Sequence, residues 1–160
     1  MKTPLTADEV LQMAQRIEEK GAKFYRRAAR LHVAGRDLLN RIAEQEDIHY
    51  GVFEQMRRAL TPAEKPAGTD LYGDLQQYLD GMVDELSLQV NRDPAEWLTG
   101  KEPLRDVLRE AIRMEKDSIL FYIGLRQGPA PSSLRQRLDD IIHEEMSHIT
   151  WLTAAGKSLG

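Results

Sequence analysis

The sequence has no cysteine. That absence excludes disulfides, zinc ribbons, cysteine nucleophiles and cysteine-ligated iron–sulfur centres, and it is compatible with a reducing compartment. No signal peptide is expected either: residues Met1–Thr6 carry one lysine and no apolar core. No apolar run approaches the ~20 residues that a bilayer-spanning helix needs, so the chain is expected to be soluble and cytoplasmic, without a membrane partner. A basic footprint is also missing. The net charge is -4, and Lys and Arg are scattered and outnumbered by Asp and Glu, which argues against a nucleic-acid partner. No segment shows the period-two alternation of a strand.

The chain is 160 residues long, with 41% hydrophobic and 30% charged residues. This is ordinary for a globular protein and suits one domain spanning residues 1–160. Four long segments carry helical periodicity. The first runs from about Ala7 to His32, opened by a capping-box pair, Thr6 and Glu9, with Gly35 where the helix should stop. The second runs from about Arg36 to Leu60 and ends at Thr61-Pro62. A long connection, Thr61 to Glu102, follows. Within it, Tyr72–Val90 has a helical pattern that reads as a packing or dimer surface, and Asp93-Pro94 reads as the cap and first turn of a short helix. The third long helix is expected from about Leu104 to Gln127, and the fourth from Ser132 or Ser133 to near Gly156. Two helices, a crossover and two helices describe an all-α antiparallel four-helix bundle.

Six ionisable residues fall on the stripes that should face the core: Glu18, Glu46, His49, Glu115, Glu145 and His148. Their arrangement repeats. Phe24-Tyr25 follows Glu18 as Phe121-Tyr122 follows Glu115, and Ala14 and Ala111 lie one turn before the two Glu. Glu46-x-x-His49 answers Glu145-x-x-His148, at 28 residues from Glu18 and 30 from Glu115. The halves read as two copies of one helical hairpin related by a pseudo-two-fold axis. At ~100° per residue, positions three apart lie on one side of a helix, so each Glu-x-x-His can aim a carboxylate and an imidazole at one centre. Each Tyr lies two turns from its Glu on the same face, as a core residue or a group that tunes the ligands.

Four ionised carboxylates buried together are costly unless they protonate or bind cations. Two divalent ions would cancel their charge while the two His bind neutral, and imidazole among carboxylates favours iron, with manganese or zinc as substitutes. His143-Glu144-x-x-x-His148 is not a zinc-protease helix, because its histidines are five apart and that motif needs four. His143 and His32 are expected at the surface, and Glu19, Glu44 and Glu144 in solvent.

The pattern resembles the ferritin-like di-iron carboxylate proteins, in which two helices give one Glu each and two give Glu-x-x-His. Within them it is most similar to the rubrerythrin group, through the run Glu115-Lys116-Asp117-Ser118-Ile119-Leu120-Phe121-Tyr122 and the stretch Glu18 to Tyr25. The resemblance covers about residues 7–60 and 104–155. It implies that Glu46 and Glu145 bridge two irons, that Glu18 and Glu115 are terminal ligands, and that His49 and His148 each bind one iron. It further implies an oxidoreductase that reduces peroxide or dioxygen, with Tyr25 and Tyr122 adjusting the ligands. Two departures bear on this. Rubrerythrins add a small Cys-ligated iron domain; without cysteine, electrons here would come from a separate donor such as a rubredoxin-like protein. Ser118 stands where those proteins tend to carry an extra carboxylate. A homodimer is expected, with the crossover long enough to exchange hairpins between chains. The alternative reading is non-catalytic iron binding or storage of the ferritin type.

Overall fold

The computed structural model describes residues 6–61, 77–78, 81, 93–127 and 132–160. Four long helices carry the fold: α1 (Ala7–Leu31), α2 (Arg36–Ala59), α3 (Leu104–Gln127) and α4 (Ser132–Ser158). No strand occurs among the described residues. The helix ends agree with the periodicity to within a residue or two. Most of the Tyr72–Val90 pattern lies outside the described residues; within it Gln77, Tyr78 and Gly81 are helical, and the Tyr78 hydroxyl donates to the Leu120 carbonyl of α3 at 2.9 Å.

Local chemistry explains the boundaries. Thr6 caps α1: its hydroxyl accepts from the Glu9 N–H at 3.2 Å, and Glu9 returns a carboxylate to the Thr6 N–H at 2.7 Å. This reciprocal pair satisfies two of the amide groups that a helix start leaves unpaired. A single 3-10 turn, Val33–Gly35, joins α1 to α2. The Asp93-Pro94 cap opens a 3-10 turn, Pro94–Trp97, where Asp93 accepts from the Ala95 N–H at 2.9 Å. The connection then reverses at Gly100, whose φ of 85° lies in the left-handed region that a Cβ disfavours.

Residues shared between core clusters give the helix directions. One apolar layer joins the first half of α1 (Val10, Leu11, Ala14), the second half of α2 (Phe53, Met56), the second half of α3 (Phe121, Leu125) and the first half of α4 (Leu138, Ile141). The other joins Phe24 and Ala28, Leu39 and Ile42, Val107 and Leu108, and Leu152. Thus α1 and α3 run antiparallel, as do α2 and α4, and each layer closes one end of the bundle. The intimate pairings are α1 with α2 and α3 with α4, which makes two hairpins; contact between the hairpins is lighter.

Some details differ from the simple stripes. Leu31 is exposed rather than buried, because α1 ends there. Buried Gln15 widens the α1 stripe, and its amide oxygen accepts from Arg57 at 2.6 Å while Asp8 holds the same guanidinium at 3.0 Å. His32 is not a free surface residue: it bonds Glu102 at 3.2 Å. Glu102 also accepts from the Thr99 and Gly100 amides, and despite burial these bonds, with that from the Thr99 hydroxyl, hold its carboxyl well below the usual carboxylate range.

Leu98 shows how the described end of the crossover closes the bundle. It is fully buried in the second layer, and its carbonyl accepts from Arg27 of α1 at 3.0 Å. Leu98→Ala is expected to destabilise the fold by about 2–5 kcal/mol, read as a lower denaturant midpoint at unchanged slope.

Candidate metal centre

Between the two apolar layers lies a polar one. Glu18 from α1, Glu46 and His49 from α2, Glu115 from α3, and Glu145 and His148 from α4 are all buried, none more than 4% exposed. The structure brings all six sequence-predicted residues together. They form two overlapping groups: Glu18, Glu46, His49 and Glu145, and Glu46, Glu115, Glu145 and His148. In each group the donor atoms lie within 4.8 Å of one another. Glu46 and Glu145 belong to both.

The imidazoles are oriented at both ends. The Nδ1 atom of His49 faces the carboxylates, 3.1 Å from Glu145 and 3.5 Å from Glu18. The Nδ1 atom of His148 lies 2.9 Å from Glu145, 3.3 Å from Glu46 and 3.5 Å from Glu115. Each Nε2 points away, His49 to the Glu144 carboxylate and His148 to the Gln45 amide oxygen, both at 2.6 Å. The two rings stack at 6.0 Å between centroids. Glu144 is therefore not simply solvated: its carboxylate, though half exposed, is held by a buried imidazole.

The tyrosines bond across the pseudo-two-fold. Tyr25 of α1 donates its hydroxyl to Glu115 of α3, and Tyr122 of α3 donates to Glu18 of α1. Each hairpin thus supplies the hydrogen bond that steadies the other hairpin's single Glu. Burial, followed by the charge of the neighbouring carboxylates, drives both phenols well above the usual tyrosine range, so they stay protonated donors.

Charge within the cluster is distributed unevenly. Burial and then Glu145 raise Glu115 to about 8, and burial with the surrounding carboxylates raises Glu46 as well. Glu145 is also buried, but hydrogen bonds from both imidazoles hold it below the usual range. Burial alone would lower the histidines; the bonding carboxylates outweigh it and push His49 up to about 12 and His148 up to about 10. The cluster attracts positive charge strongly enough that the imidazoles retain protons.

Among the described residues, four buried atoms nevertheless make no well-aligned hydrogen bond: Glu18 Oε2, Glu46 Oε1, Glu145 Oε2 and His148 Nδ1, the last two facing each other at 2.9 Å as an ion pair. All four are in the cluster. Such atoms are costly in a protein interior, and their convergence is what a cation-binding cage requires. Gly21 points to the same need. A Cβ there would come within 2.8 Å of Glu46 Oε2, so the mid-helix glycine leaves space for that carboxylate. Mixed carboxylate and imidazole donors at this spacing fit a pair of divalent transition-metal ions.

A cavity of about 20 Å³ reaches Glu46 and Glu115 between α1 and α3, on the side away from the histidines. It is large enough for one water-sized molecule. Gly21 and Ser118, which occupy equivalent places in the two hairpins, both line it, with Lys20, Tyr25, Pro94 and Met114. Burial lowers the Lys20 ammonium from its usual value. The Ser118 hydroxyl bonds back to the Met114 carbonyl at 3.1 Å, so this position offers no further donor to the centre.

Comparison with known proteins supports the fold. No family model matches the chain, and no curated protein matches it. Among solved structures the chain is similar to a Thermotoga maritima protein provisionally described as a ferritin-like diiron-carboxylate protein. The two are 23% identical over the whole of both chains, with a TM-score of 0.73. The architecture is thus that of ferritin-like four-helix bundles, with a buried carboxylate–histidine layer at mid-height.

Two outcomes test this centre. Groups whose folded pKa lies above the unfolded value stabilise the fold while protonated and lose that contribution as pH rises through the folded value. For His148 the loss runs from 6.5 to about 10, for His49 from 6.5 to about 12, and for Glu115 from 4.5 to about 8. Glu145 acts in the opposite sense, but below 4.5. Metal-free protein should therefore show a Tm that falls between about pH 6.5 and 10 in calorimetry, and a saturating divalent metal should reverse most of the fall. A flat or rising Tm would contradict the charge arrangement. Separately, Gly21→Ala should strengthen α1 by up to about 1 kcal/mol through helix propensity yet weaken divalent-metal binding about 10-fold in a calorimetric titration.

Proposed function

We propose that this chain is a di-iron carboxylate oxidoreductase of the rubrerythrin group, reducing peroxide or dioxygen with electrons from a separate donor. The observation that carries this reading is the pair of overlapping donor groups, in which four buried donor atoms make no well-aligned hydrogen bond. The likeness to a protein described as diiron-carboxylate supports the same metal.

In this reading Glu18 and His49 would hold one ion and Glu115 and His148 the other, while Glu46 and Glu145, common to both donor groups, would serve both. A bound pair of irons would supply two electrons to an oxidant and act as Lewis acid. The chain's own residues supply the rest. Glu144 and Gln45 fix the imidazoles with Nδ1 inward. Tyr25 and Tyr122 hold the terminal carboxylates and keep a proton next to them. Gly21 and Ser118 line the water-sized cavity beside Glu46 and Glu115, the face on which a small oxidant would reach the centre. The apolar layers above and below exclude bulk water from the centre. The chain carries no cysteine to hold an iron–sulfur centre, and in this reading a separate donor such as a rubredoxin-like protein restores the reduced state.

The test is anaerobic loading with Fe(II) followed by rapid mixing. The protein should take up about two irons per chain, and addition of peroxide or dioxygen should oxidise both within the first turnover. A Glu46→Ala/Glu145→Ala variant should take up none. Two bound irons that remain ferrous in peroxide and in air would overturn the reading. Continued uptake far beyond two per chain would favour storage instead.

A further inference from the structure

The two halves of the centre match closely except at the outer face of the histidines. His49 Nε2 is bonded to a carboxylate, Glu144, and His148 Nε2 to a neutral amide, Gln45, at the same 2.6 Å. Gln45 and Glu144 are the same position in the repeat, each immediately before a Glu common to both donor groups. The pseudo-two-fold is therefore preserved in shape and broken in charge. A second difference lies behind His148. Its ring lies against Trp151 at 5.6 Å, and the exposed Arg41 guanidinium sits 4.1 Å from the centre of that indole. By register their counterparts in the other hairpin are Val52 and Asp140, so the sequence offers no such aromatic–cation stack behind His49.

An anionic acceptor on Nε2 makes a stronger bond than a neutral one and draws that proton away from the ring. The ring then becomes a better electron donor through Nδ1, the atom facing the carboxylates. We propose that Glu144 and Gln45 make the two metal positions unequal: the position of His49 and Glu18 takes the first ion and holds it more tightly, and the position of His148 and Glu115 takes the second. The inequality rests on the two-metal reading above and extends it with an order of loading. It also assigns roles: with iron, the His49 position stabilises the ferric state more, and the His148 position holds the metal that is more easily lost or exchanged. Glu144 and Gln45 are positioning residues that act on the metals through the imidazoles.

Cobalt(II), added anaerobically to the full chain and followed by titration calorimetry, tests this without any turnover. The wild type should bind two ions in two steps, with affinities about 10–100-fold apart. Glu144→Gln should weaken the tighter step about 10-fold and leave the weaker one, so that the steps merge. Gln45→Glu should strengthen the weaker step by a similar factor and merge them from the other side. The double exchange Glu144→Gln/Gln45→Glu should restore two separated steps. Should Glu144→Gln fail to fold, Gln45→Glu carries the test alone, since it changes a partly exposed position. Two ions bound by the wild type with equal affinity would overturn the proposal. So would a Glu144→Gln variant that keeps the original gap, or that weakens both steps equally, as a purely structural role would. No cobalt bound by the wild type would instead sink the two-metal reading, and the inference with it.

Discussion

Four glutamates placed together in the middle of a hydrophobic core repel one another, and all are shut off from bulk water. Every other feature of the bundle centre follows from this constraint. The two histidines face the carboxylates because a buried anion needs positive charge or hydrogen-bond donors close by. The tyrosine hydroxyls point inward because Glu18 and Glu115 each require a donor. What protein hydrogen bonds leave unsatisfied is concentrated in four buried atoms of this cluster. The apolar layers at either end confine the unfavourable electrostatics to one level, where a cation would relieve them. Stability and metal affinity are thus opposed: packing that closes the bundle without the ions would remove the strain that makes the ions welcome.

Much of this could be read from the chain. The helices Leu104–Gln127 and Ala7–Leu31 follow from spacings of three and four and from caps such as Thr6 with Glu9. The six inward residues stand out because ionisable groups on an apolar stripe are rare and these recur in register across two hairpins. What escaped reading depends on how helices meet. Glu144 lies one residue from Glu145, and so ~100° around its own helix, which on a lone helix means solvent. Only the proximity of α2 and α4 places it on His49. The one available signal was that Gln45 and Glu144 occupy the same place in the repeat. His32 was hidden likewise, since its partner Glu102 is far away in sequence.

Ser118 and Gly21 show why a departure from a motif needs a structure to interpret. Seen in the sequence, Ser118 is a missing carboxylate. In the bundle it is one of a pair of small residues flanking the cavity, its hydroxyl turned onto its own helix. The same substitution that removes a possible ligand helps keep open the groove between α1 and α3. Gly21, a poor helix residue in isolation, is tolerated for the room it leaves Glu46.

The crossed tyrosine bonds carry a consequence for how such a molecule can arise. A hairpin holding one Glu, one Tyr and one Glu-x-x-His has donors and acceptors that its own geometry cannot unite, because Tyr25 serves Glu115 and Tyr122 serves Glu18. It is instead complementary to a copy of itself. Two identical hairpins could build the whole centre by pairing, and joining them into one chain would alter none of these contacts. What the join would permit is divergence, since a change made in one copy would no longer be imposed on the other. A carboxylate could then stand behind one imidazole and an amide behind its twin, an inequality that no symmetric ancestor could have expressed.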